Sequence, residues 1–355
     1  MSKRKLKAAL IGCGFIGINR HLPSLISHPN IEVVAFVDAN EQKAKEIARK
    51  YKKSHYVSLS DLLKNEKQLD LIDIATPINT HGALAIDALN NNKHVILEKP
   101  MASSIEECRQ IINQSKERNL KVTVYHTMKV YPVTQKVKRW IEDGKIGKHY
   151  LTSFLTSYGE LQPWLIQQGG PLWEIVPHRL YLIMYWLGRI KIKDVVVYSP
   201  VESFSSIGEI RNMEIVMETE NGVADLHLLN SGFDKSPDII NIYGDKGMIQ
   251  VLPLVLDAAY LCNSNDYLQW RSVFSKHIIS NLNTSFQIFK RGLNYFIKRT
   301  RSFPHFLILD NFVNSILGDK PLIVPPEEGL EVIRCLKAIE ERINTKRQIS
   351  TSKNP

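Results

Sequence analysis

The sequence predicts two domains, an α/β N-terminal domain on a parallel sheet and an α+β C-terminal domain with a largely antiparallel open sheet. Three observations predict this division. The chain has 355 residues, about twice the size of a common domain. Short apolar runs alternate with amphipathic stretches up to residue 125. After residue 145, β-branched runs joined by turn signals dominate. We therefore expect domains at 1–125 and 126–345, followed by a polar, mobile tail at 346–355.

The N-terminal elements follow from alternating apolar runs and helical patterns. Buried strands are predicted at 7–11, 31–37, 71–75, 94–97 and 121–124. Helices are predicted between them at 41–51, 60–65, 80–90 and 103–117, the last opened by a capping box from Ser103 to Glu106. Strands that alternate with helices predict βαβ units, and hence a parallel sheet.

The C-terminal elements are mostly strands. After a helix at 132–142, strands are predicted at 149–157, 195–198, 213–219, 223–229, 239–243 and 248–252. Turn residues such as Asn221-Gly222 join neighbouring strands, which is typical of antiparallel pairing. Two helices, at 306–317 and 326–345, close the domain.

Composition excludes several classes of protein. Hydrophobic residues make up 44% and charged residues 23% of the chain, values that are ordinary for a globular protein and exclude general disorder. No apolar run reaches the length of a membrane span, and the basic start lacks the apolar core of a signal peptide. The four cysteines form no CxxC pair, so we expect no disulfide framework, no metal site and a cytoplasmic location.

The N-terminal glycines predict a dinucleotide site. Gly12, Gly14 and Gly17 form a GxGxxG between a strand and a helical pattern, and Asp38 ends the next strand about 20 residues later. The spacing suits a tight turn, a close approach to a pyrophosphate and an acid on the ribose. Phe15 and Ile16 belong to the same turn. Because an anion at Asp38 repels a 2′-phosphate, this Rossmann motif favours NAD over NADP; the alternative is a glycine turn without ligand.

Two further segments follow strands at the carboxyl edge of the predicted sheet, where ligands bind, and we expect their residues, Glu98 included, to contact the cofactor. The first contains Thr76, Pro77, Asn79 and His81. His81 either touches the cofactor or satisfies a nearby carbonyl. The second is Glu98-Lys99-Pro100, in which proline restricts Lys99 to an extended conformation. We expect the lysine to point toward the nicotinamide end of the site; the alternative is a surface ion pair. Asp73, inside a buried strand, needs a buried partner or a solvent edge.

A polar stripe is predicted in the second domain. Glu174, His178 and Tyr181 are spaced i, i+4 and i+7, which places them on one face of a helix. An acid, an imidazole and a phenol together suit proton transfer. The alternative is a helix with a satisfied core histidine.

These motifs resemble those of the Gfo/Idh/MocA oxidoreductases, named for glucose–fructose oxidoreductase, inositol dehydrogenase and MocA. The resemblance covers GCGFIG, TPINTH, HVILEKPMA, GKIGKHY, GGPLWEIVPH, YGDKGMI and HFLILDNFVNSILGDKP. It implies an NAD(P)-dependent dehydrogenase acting on a secondary alcohol of a sugar, nucleotide sugar or cyclitol. Lys99 and His178 correspond to the residues that serve the reacting hydroxyl. The family's helix pattern is Asp-x-Gly-x-His-x-x-Asp, and here Glu174 and Tyr181 replace its two acids.

The resemblance also bears on substrate, assembly and alternatives. Aromatic and polar side chains that suit a sugar pocket are Tyr125, His126 and Trp164, together with Glu174 and Tyr181. A homodimer or homotetramer is implied, formed on the free face of the second-domain sheet. Two other functions stay open: a glycosidase that oxidises C3 transiently with bound NAD, and a non-catalytic NAD-binding regulator.

One basic segment carries most of the net charge of +10. Residues 267–309 contain seven basic residues and no acid, and the rest of the chain is nearly balanced, which argues against nucleic acid as a partner. Apolar residues at helical spacing from 279 to 296 predict an amphipathic helix. Such a helix packs on the protein, with Arg291 and Arg299 free to bind a nucleotide-sugar diphosphate, or makes a peripheral membrane contact through 278–301.

Overall fold

The computed structural model describes residues 4–198, 206–230, 238–251, 259–263 and 303–353. The chain divides into two compact units. Unit 1 contains residues 1–127 and 299–333, and unit 2 contains residues 128–298 and 334–355. No helix among the described residues is both long enough and apolar enough to cross a bilayer. The predicted basic amphipathic helix at 279–296 lies outside the described residues.

Unit 1 is built on a parallel sheet whose described strands number six, in the order β3-β2-β1-β4-β5-β6. The strands are β1 Leu6–Ile11, β2 Ile31–Val37, β3 Ser54–Tyr56, β4 Leu71–Ile74, β5 His94–Leu97 and β6 Val122–Val124. Strands β1, β4 and β5 are almost entirely buried, as expected for a parallel sheet covered on both faces. The predicted parallel sheet is confirmed. The short strand β3 was not predicted, because its partly exposed residues form no apolar run.

Helices cover this sheet. A π-helical turn, Gly17–His21, leads into α1 Leu22–Ser27, and the next helices are α2 Glu41–Tyr51, α3 Leu59–Asn65, α4 Ile78–Asn90 and α5 Ile105–Glu117. The predicted capping box at α5 lies one residue later than expected. Ser104, not Ser103, is the N-cap, and its hydroxyl accepts the Glu107 N–H while Glu107 accepts the Ser104 N–H. Ser103 also hydrogen-bonds to the Glu107 carboxylate. In the sequence, each of these two serines has a glutamate three residues later, so the capping-box pattern occurs in two registers.

Residues near the C-terminus belong to unit 1, which differs from the predicted boundary. Helix α10, Phe303–Gly318, packs against α1. It buries a set of apolar side chains comprising Ile308, Leu309, Phe312 and Val313. Farther along, Thr123 donates its hydroxyl to the Val324 carbonyl at 2.7 Å. Burial of this apolar face, rather than position in the chain, decides the unit to which the helix belongs.

Unit 2 contains a sheet with seven described strands in the order β13-β12-β11-β7-β10-β9-β8. These are β7 His149–Tyr158, β8 Ile190–Val197, β9 Met213–Thr219, β10 Gly222–Asn230, β11 Ile239–Gly244, β12 Gly247–Val251 and β13 Ala259–Asn263. β7 and β10 pair in parallel, and the other pairs are antiparallel. The largely antiparallel sheet is therefore confirmed. In β7, Thr152, Phe154 and Thr156 face the core and alternate with outward residues.

The α-helices among the described residues of unit 2 are α6 Pro132–Glu142, α7 Pro163–Gln167, α8 Gly170–Glu174 and α9 Val176–Leu187, together with residues 334–353 of α11, Pro326–Lys353. The tail expected from residue 346 is helical in the structure, since α11 continues to Lys353. Lys346 Nζ lies 2.6 Å from an Asp194 oxygen and donates to the Val195 carbonyl at 2.7 Å. These contacts attach the last turns of α11 to β8.

Candidate active site

The glycine turn after β1 has the backbone that its sequence predicts. Gly12 has a φ of +100°, and a Cβ there would collide with the Ala75 carbonyl. A Cβ on Gly17 would collide with the Gly12 carbonyl, so this glycine permits close packing of the turn. At Gly14, by contrast, an added Cβ would meet no atom within 4 Å. The open space at Gly14 leaves the backbone accessible to a phosphate group, as a dinucleotide requires.

Asp38 completes the cofactor end of unit 1. Its carboxylate accepts the N–H groups of Cys13 and Asn40, each at 2.8 Å. The acid at the end of β2 is thereby attached to the glycine turn at the end of β1. Phe15 and Ile16, in the same turn, are 73% and 42% exposed. An open glycine, an adjoining acid and exposed turn side chains fit an NAD molecule with its ribose near Asp38.

The segment after β4 has its histidine turned toward the protein. His81 is buried, with Nδ1 2.8 Å from the Pro100 carbonyl and Nε2 2.8 Å from the Thr76 carbonyl. Burial is the main reason why the pKa of His81 is lowered, and a ring nitrogen that carries a hydrogen donates it to its carbonyl. These contacts correspond to the carbonyl-satisfying interpretation. Pro77 and Asn79, at the start of α4, are exposed.

Glu98 and Lys99 follow β5 directly. Glu98 Oε2 accepts the Lys99 N–H at 3.0 Å, and Glu98 Oε1 lies 2.9 Å from His21 Nε2. Burial raises the pKa of Glu98, but hydrogen bonds and charges from His21 and His305 outweigh it and hold the pKa well below the ordinary value. The Glu98 carboxylate, predicted to contact the cofactor, is thus ionised and bonded within unit 1.

His21 is the centre of a cluster that the sequence analysis missed. Its Nδ1 lies 2.7 Å from Asp73 Oδ1, and the Tyr125 hydroxyl donates to the other Asp73 oxygen at 3.0 Å. Asp73, for which a buried partner or a solvent edge was expected, therefore has two buried partners. The available signal was a histidine one turn after the last glycine of the motif, together with an acid inside a buried strand.

The same cluster contains a possible ligand set for a cation. One ligand atom from each of His21, Glu98 and His305 lies within 4.8 Å of the others. However, both nitrogens of His21 already lie at hydrogen-bond distance from carboxylates. Hydrogen bonds within the protein therefore satisfy both nitrogens of His21.

In unit 2, His178 lies on α9 beside Tyr181. His178 Nδ1 is 2.9 Å from the Tyr181 hydroxyl oxygen, which also accepts the Met128 N–H at 3.3 Å. The predicted continuous stripe is wrong for Glu174, because that residue ends α8 and the chain turns at Ile175 before α9 begins. Each helix has a proline near its start, which removes an N–H donor. Two short helices therefore form in place of the single predicted helix.

A buried ion pair anchors the residue next to His178. Arg179 donates through Nη2 to both Asp238 oxygens, at 2.8 and 2.7 Å, and through Nε to the Thr156 hydroxyl at 3.1 Å. A bidentate pair of this kind constrains geometry strongly. It attaches α9 to the sheet at β7, and so holds the backbone that carries His178.

The remaining substrate candidates have different environments. Tyr125 is buried, and its hydroxyl is bonded to Asp73. His126 is also buried, with Nδ1 2.6 Å from a Glu328 oxygen. Trp164, on α7, is 54% exposed. Only Trp164 among these three presents a large free aromatic surface to a ligand.

Both parts of the chain are similar to known oxidoreductases. Residues 6–126 match the oxidoreductase family, NAD-binding Rossmann fold, and residues 138–351 match the oxidoreductase family, C-terminal alpha/beta domain. The inositol 2-dehydrogenase of Salmonella typhimurium is 30% identical over 268 residues, covering 72% of this chain and 76% of that protein. The D-glucoside 3-dehydrogenase of Escherichia coli is 26% identical over 216 residues, covering 59% of this chain and 60% of the relative.

Solved structures show the same fold. The WlbA dehydrogenase from Bordetella pertussis, crystallised with NADH and UDP-GlcNAcA, superposes with a TM-score of 0.80 at 21% sequence identity. The match covers 98% of this chain and 97% of that chain.

Proposed function

The chain belongs to the Gfo/Idh/MocA oxidoreductase family, and from this premise we propose that it transfers hydride between NAD and a secondary alcohol of a sugar, nucleotide sugar or cyclitol. The bound nicotinamide supplies the hydride acceptor or donor. The protein's own residues bind, orient and move the proton. Four free cysteines suit a reducing compartment, and we propose the cytoplasm.

One observation carries this proposal. The glycine turn, Asp38, the Thr76 segment and Lys99 all follow the carboxyl ends of neighbouring parallel strands in one sheet. That edge is where α/β sheets bind ligands. Lys99 therefore belongs to the same edge as the residues that fit NAD, and its cation stabilises negative charge that develops on the substrate oxygen.

His178 is proposed as the group that accepts the hydroxyl proton. For this role Nε2 accepts the proton, so Nδ1 carries the hydrogen and donates it to the Tyr181 oxygen. Tyr181, which stands at the position of the second acid in the family's usual pattern, then orients the ring. Because the phenol is neutral, it stabilises the imidazolium less than a carboxylate would.

The proposal is tested by measuring NAD reduction and NADH oxidation over a panel of nucleotide sugars, free sugars and cyclitols. With a substrate found, Lys99→Ala and His178→Ala should each lower kcat by roughly 10²–10⁴-fold, the range for positioned acid–base groups. Tyr181→Phe should lower kcat by at most about 10-fold, because it removes a single hydrogen bond to the His178 ring. The NAD dissociation constant, followed by fluorescence titration, should hardly change in the three variants.

Other outcomes would redirect the assignment. Cleavage of glycosides without added NAD would indicate the glycosidase alternative. NAD binding without turnover on any alcohol would indicate a regulator. Near-wild-type turnover in either alanine variant would remove that residue from the mechanism.

A further inference from the structure

A buried imidazole joins the ends of three strands in unit 1. His21 is the last residue of the π-helical turn, and its side chain is fully buried. Its nitrogens lie 2.7 Å from Asp73, in β4, and 2.9 Å from Glu98, which follows β5. Ionised carboxylates only accept hydrogen bonds, so both nitrogens donate and the ring is an imidazolium. Turns of this rare kind are frequent at functional sites.

The cluster has two arms, which are the hydrogen bonds from His21 to Glu98 and from His21 to Asp73. The arm through Glu98 extends to Lys99. The Glu98 oxygen that does not contact His21 accepts the Lys99 N–H at 3.0 Å. A single carboxylate thus connects the imidazolium to the backbone from which the Lys99 side chain extends. On the far arm, Asp73 accepts from Tyr125, the residue that follows β6. The two arms of His21 therefore serve different parts of the unit.

We propose that His21 is a positioning residue for Lys99, acting through Glu98. Charge-assisted hydrogen bonds are short and directional, so the imidazolium holds the Glu98 carboxylate in the orientation that fixes the Lys99 backbone. Without this partner, a largely buried Glu98 loses the cation that compensates it and has reason to turn or take up a proton. This inference rests on the proposed function, since the catalytic role of Lys99 belongs to that proposal.

The two arms can be removed separately. An asparagine at position 21 has its amide nitrogen at the same distance along the side chain as Nδ1, and so can bond Asp73 but not Glu98. A glutamine has its amide nitrogen at the level of Nε2, and so can bond Glu98 but not Asp73. If the cluster were only structural, loss of the bond to Asp73 and loss of the bond to Glu98 would affect Lys99 equally.

The first measurement needs no substrate. Wild type, His21→Asn and His21→Gln are methylated with isotope-labelled formaldehyde, and the Lys99 methyl resonance is identified by its absence in Lys99→Arg. We expect this resonance to shift in His21→Asn and to stay near its wild-type position in His21→Gln. Asp73→Asn, which alters the far arm while leaving the histidine in place, should also leave the resonance near its wild-type position.

The second measurement is turnover on the substrate that the panel identifies. A displacement of about 1 Å at a catalytic group costs about 10²-fold in rate, and we expect a kcat loss of that order in His21→Asn. The loss in His21→Gln should be several-fold smaller, with NAD affinity unchanged in both. His28→Gln is the matched control. His28 is another buried histidine of unit 1, with Nε2 3.3 Å from Asp310, and its variant should lower the melting temperature without moving kcat or the Lys99 resonance.

The results separate this inference from the proposed function. Equal effects of His21→Asn and His21→Gln on the Lys99 resonance, or no effect of either, would overturn the inference even if the enzyme is active. A resonance that moves only in His21→Asn would support it even if no alcohol is oxidised. If neither histidine variant folds, Asp73→Asn provides the test. A large shift of the Lys99 resonance in that variant would show that the Asp73 arm also affects Lys99, and would overturn the inference.

Discussion

Asp38 governs the choice of dinucleotide at the residue scale. Its charge is held beside the glycine turn by the Cys13 and Asn40 N–H groups, so a 2′-phosphate on the ribose would meet a fixed anion. We expect Asp38→Asn, which keeps an acceptor oxygen but removes the charge, to narrow the ratio of NADP to NAD dissociation constants by about 10-fold, or about 1.4 kcal/mol. Fluorescence titration with both dinucleotides checks this. A wild-type protein that prefers NADP would reject the assignment.

His21 also predicts a pH dependence of stability. Burial lowers its pKa, but the charges and hydrogen bonds of Asp73 and Glu98 outweigh burial and raise the pKa from 6.5 to about 10. The other facing groups are Tyr125, whose pKa is raised well above 10 mainly by burial, and His305, whose pKa is lowered mainly by burial. Both stay neutral near pH 8.

A raised pKa in the folded state stabilises the fold fully below pH 6.5, and this contribution is lost as the pH rises toward about 10. Melting temperatures of wild type should therefore fall over this window more steeply than those of His21→Gln. A difference of about 1 kcal/mol corresponds to a few degrees. Parallel melting curves across the window would show that His21 is not charged in the fold.

The glycine turn illustrates the element scale, because its glycines differ in what surrounds them. A Cβ on Gly17 meets backbone, whereas a Cβ on Gly14 meets no atom. We expect Gly17→Ala to destabilise the protein by about 1–3 kcal/mol, the usual range for overpacking. Gly14→Ala should keep its melting temperature and bind NAD more weakly, because the methyl group occupies the phosphate cradle. Thermal unfolding and NAD titration of both variants check the contrast; equal melting temperatures would contradict it.

Helix boundaries are where sequence and structure differ most at this scale. The capping pattern at α5 was present in two registers, and the contacts of Glu107 select the second. The stripe of Glu174, His178 and Tyr181 obeys helical spacing, yet the chain turns at Ile175. The spacing argument assumes one continuous helix. The prolines and the packing of the two short helices decide whether the helix is continuous.

At the scale of the whole molecule, the outward face of the unit 2 sheet predicts assembly. Val195, an apolar residue of β8, is buried inside the unit. The exposed face instead carries several large apolar side chains, namely Tyr150, Leu155, Val196, Tyr198, Val223 and Tyr243. An apolar sheet face of this kind is typical of an interface.

We therefore expect a homodimer or homotetramer, and light scattering should give a mass at least twice the 40.6 kDa of one chain. Leu155→Glu, at the centre of the face on β7, should shift the protein toward the monomer. Ile26→Glu is the control, since Ile26 is an exposed apolar residue of unit 1 and should not alter the mass. A wild-type particle of about 41 kDa at micromolar concentration would contradict the expectation.

The sequence by itself determined the two kinds of sheet, the glycine turn and the residues at the carboxyl edge. Each of these depends on a pattern among near neighbours: alternation, spacing and turn chemistry. Asp38 and Lys99 were predicted in this way, since each lies within two residues of the end of a buried strand.

Only the tertiary structure decided which distant groups meet. His21 bonds to Asp73 and Glu98, 52 and 77 residues away, and Thr123 bonds to Val324 across 201 residues. The same packing assigned α10 to unit 1 and broke the predicted stripe at Ile175. A single sequence shows that Asp73 needs a buried partner or a solvent edge, because burying a charge is costly. Which residue provides that partner depends on how strands and helices pack, and no local pattern records it.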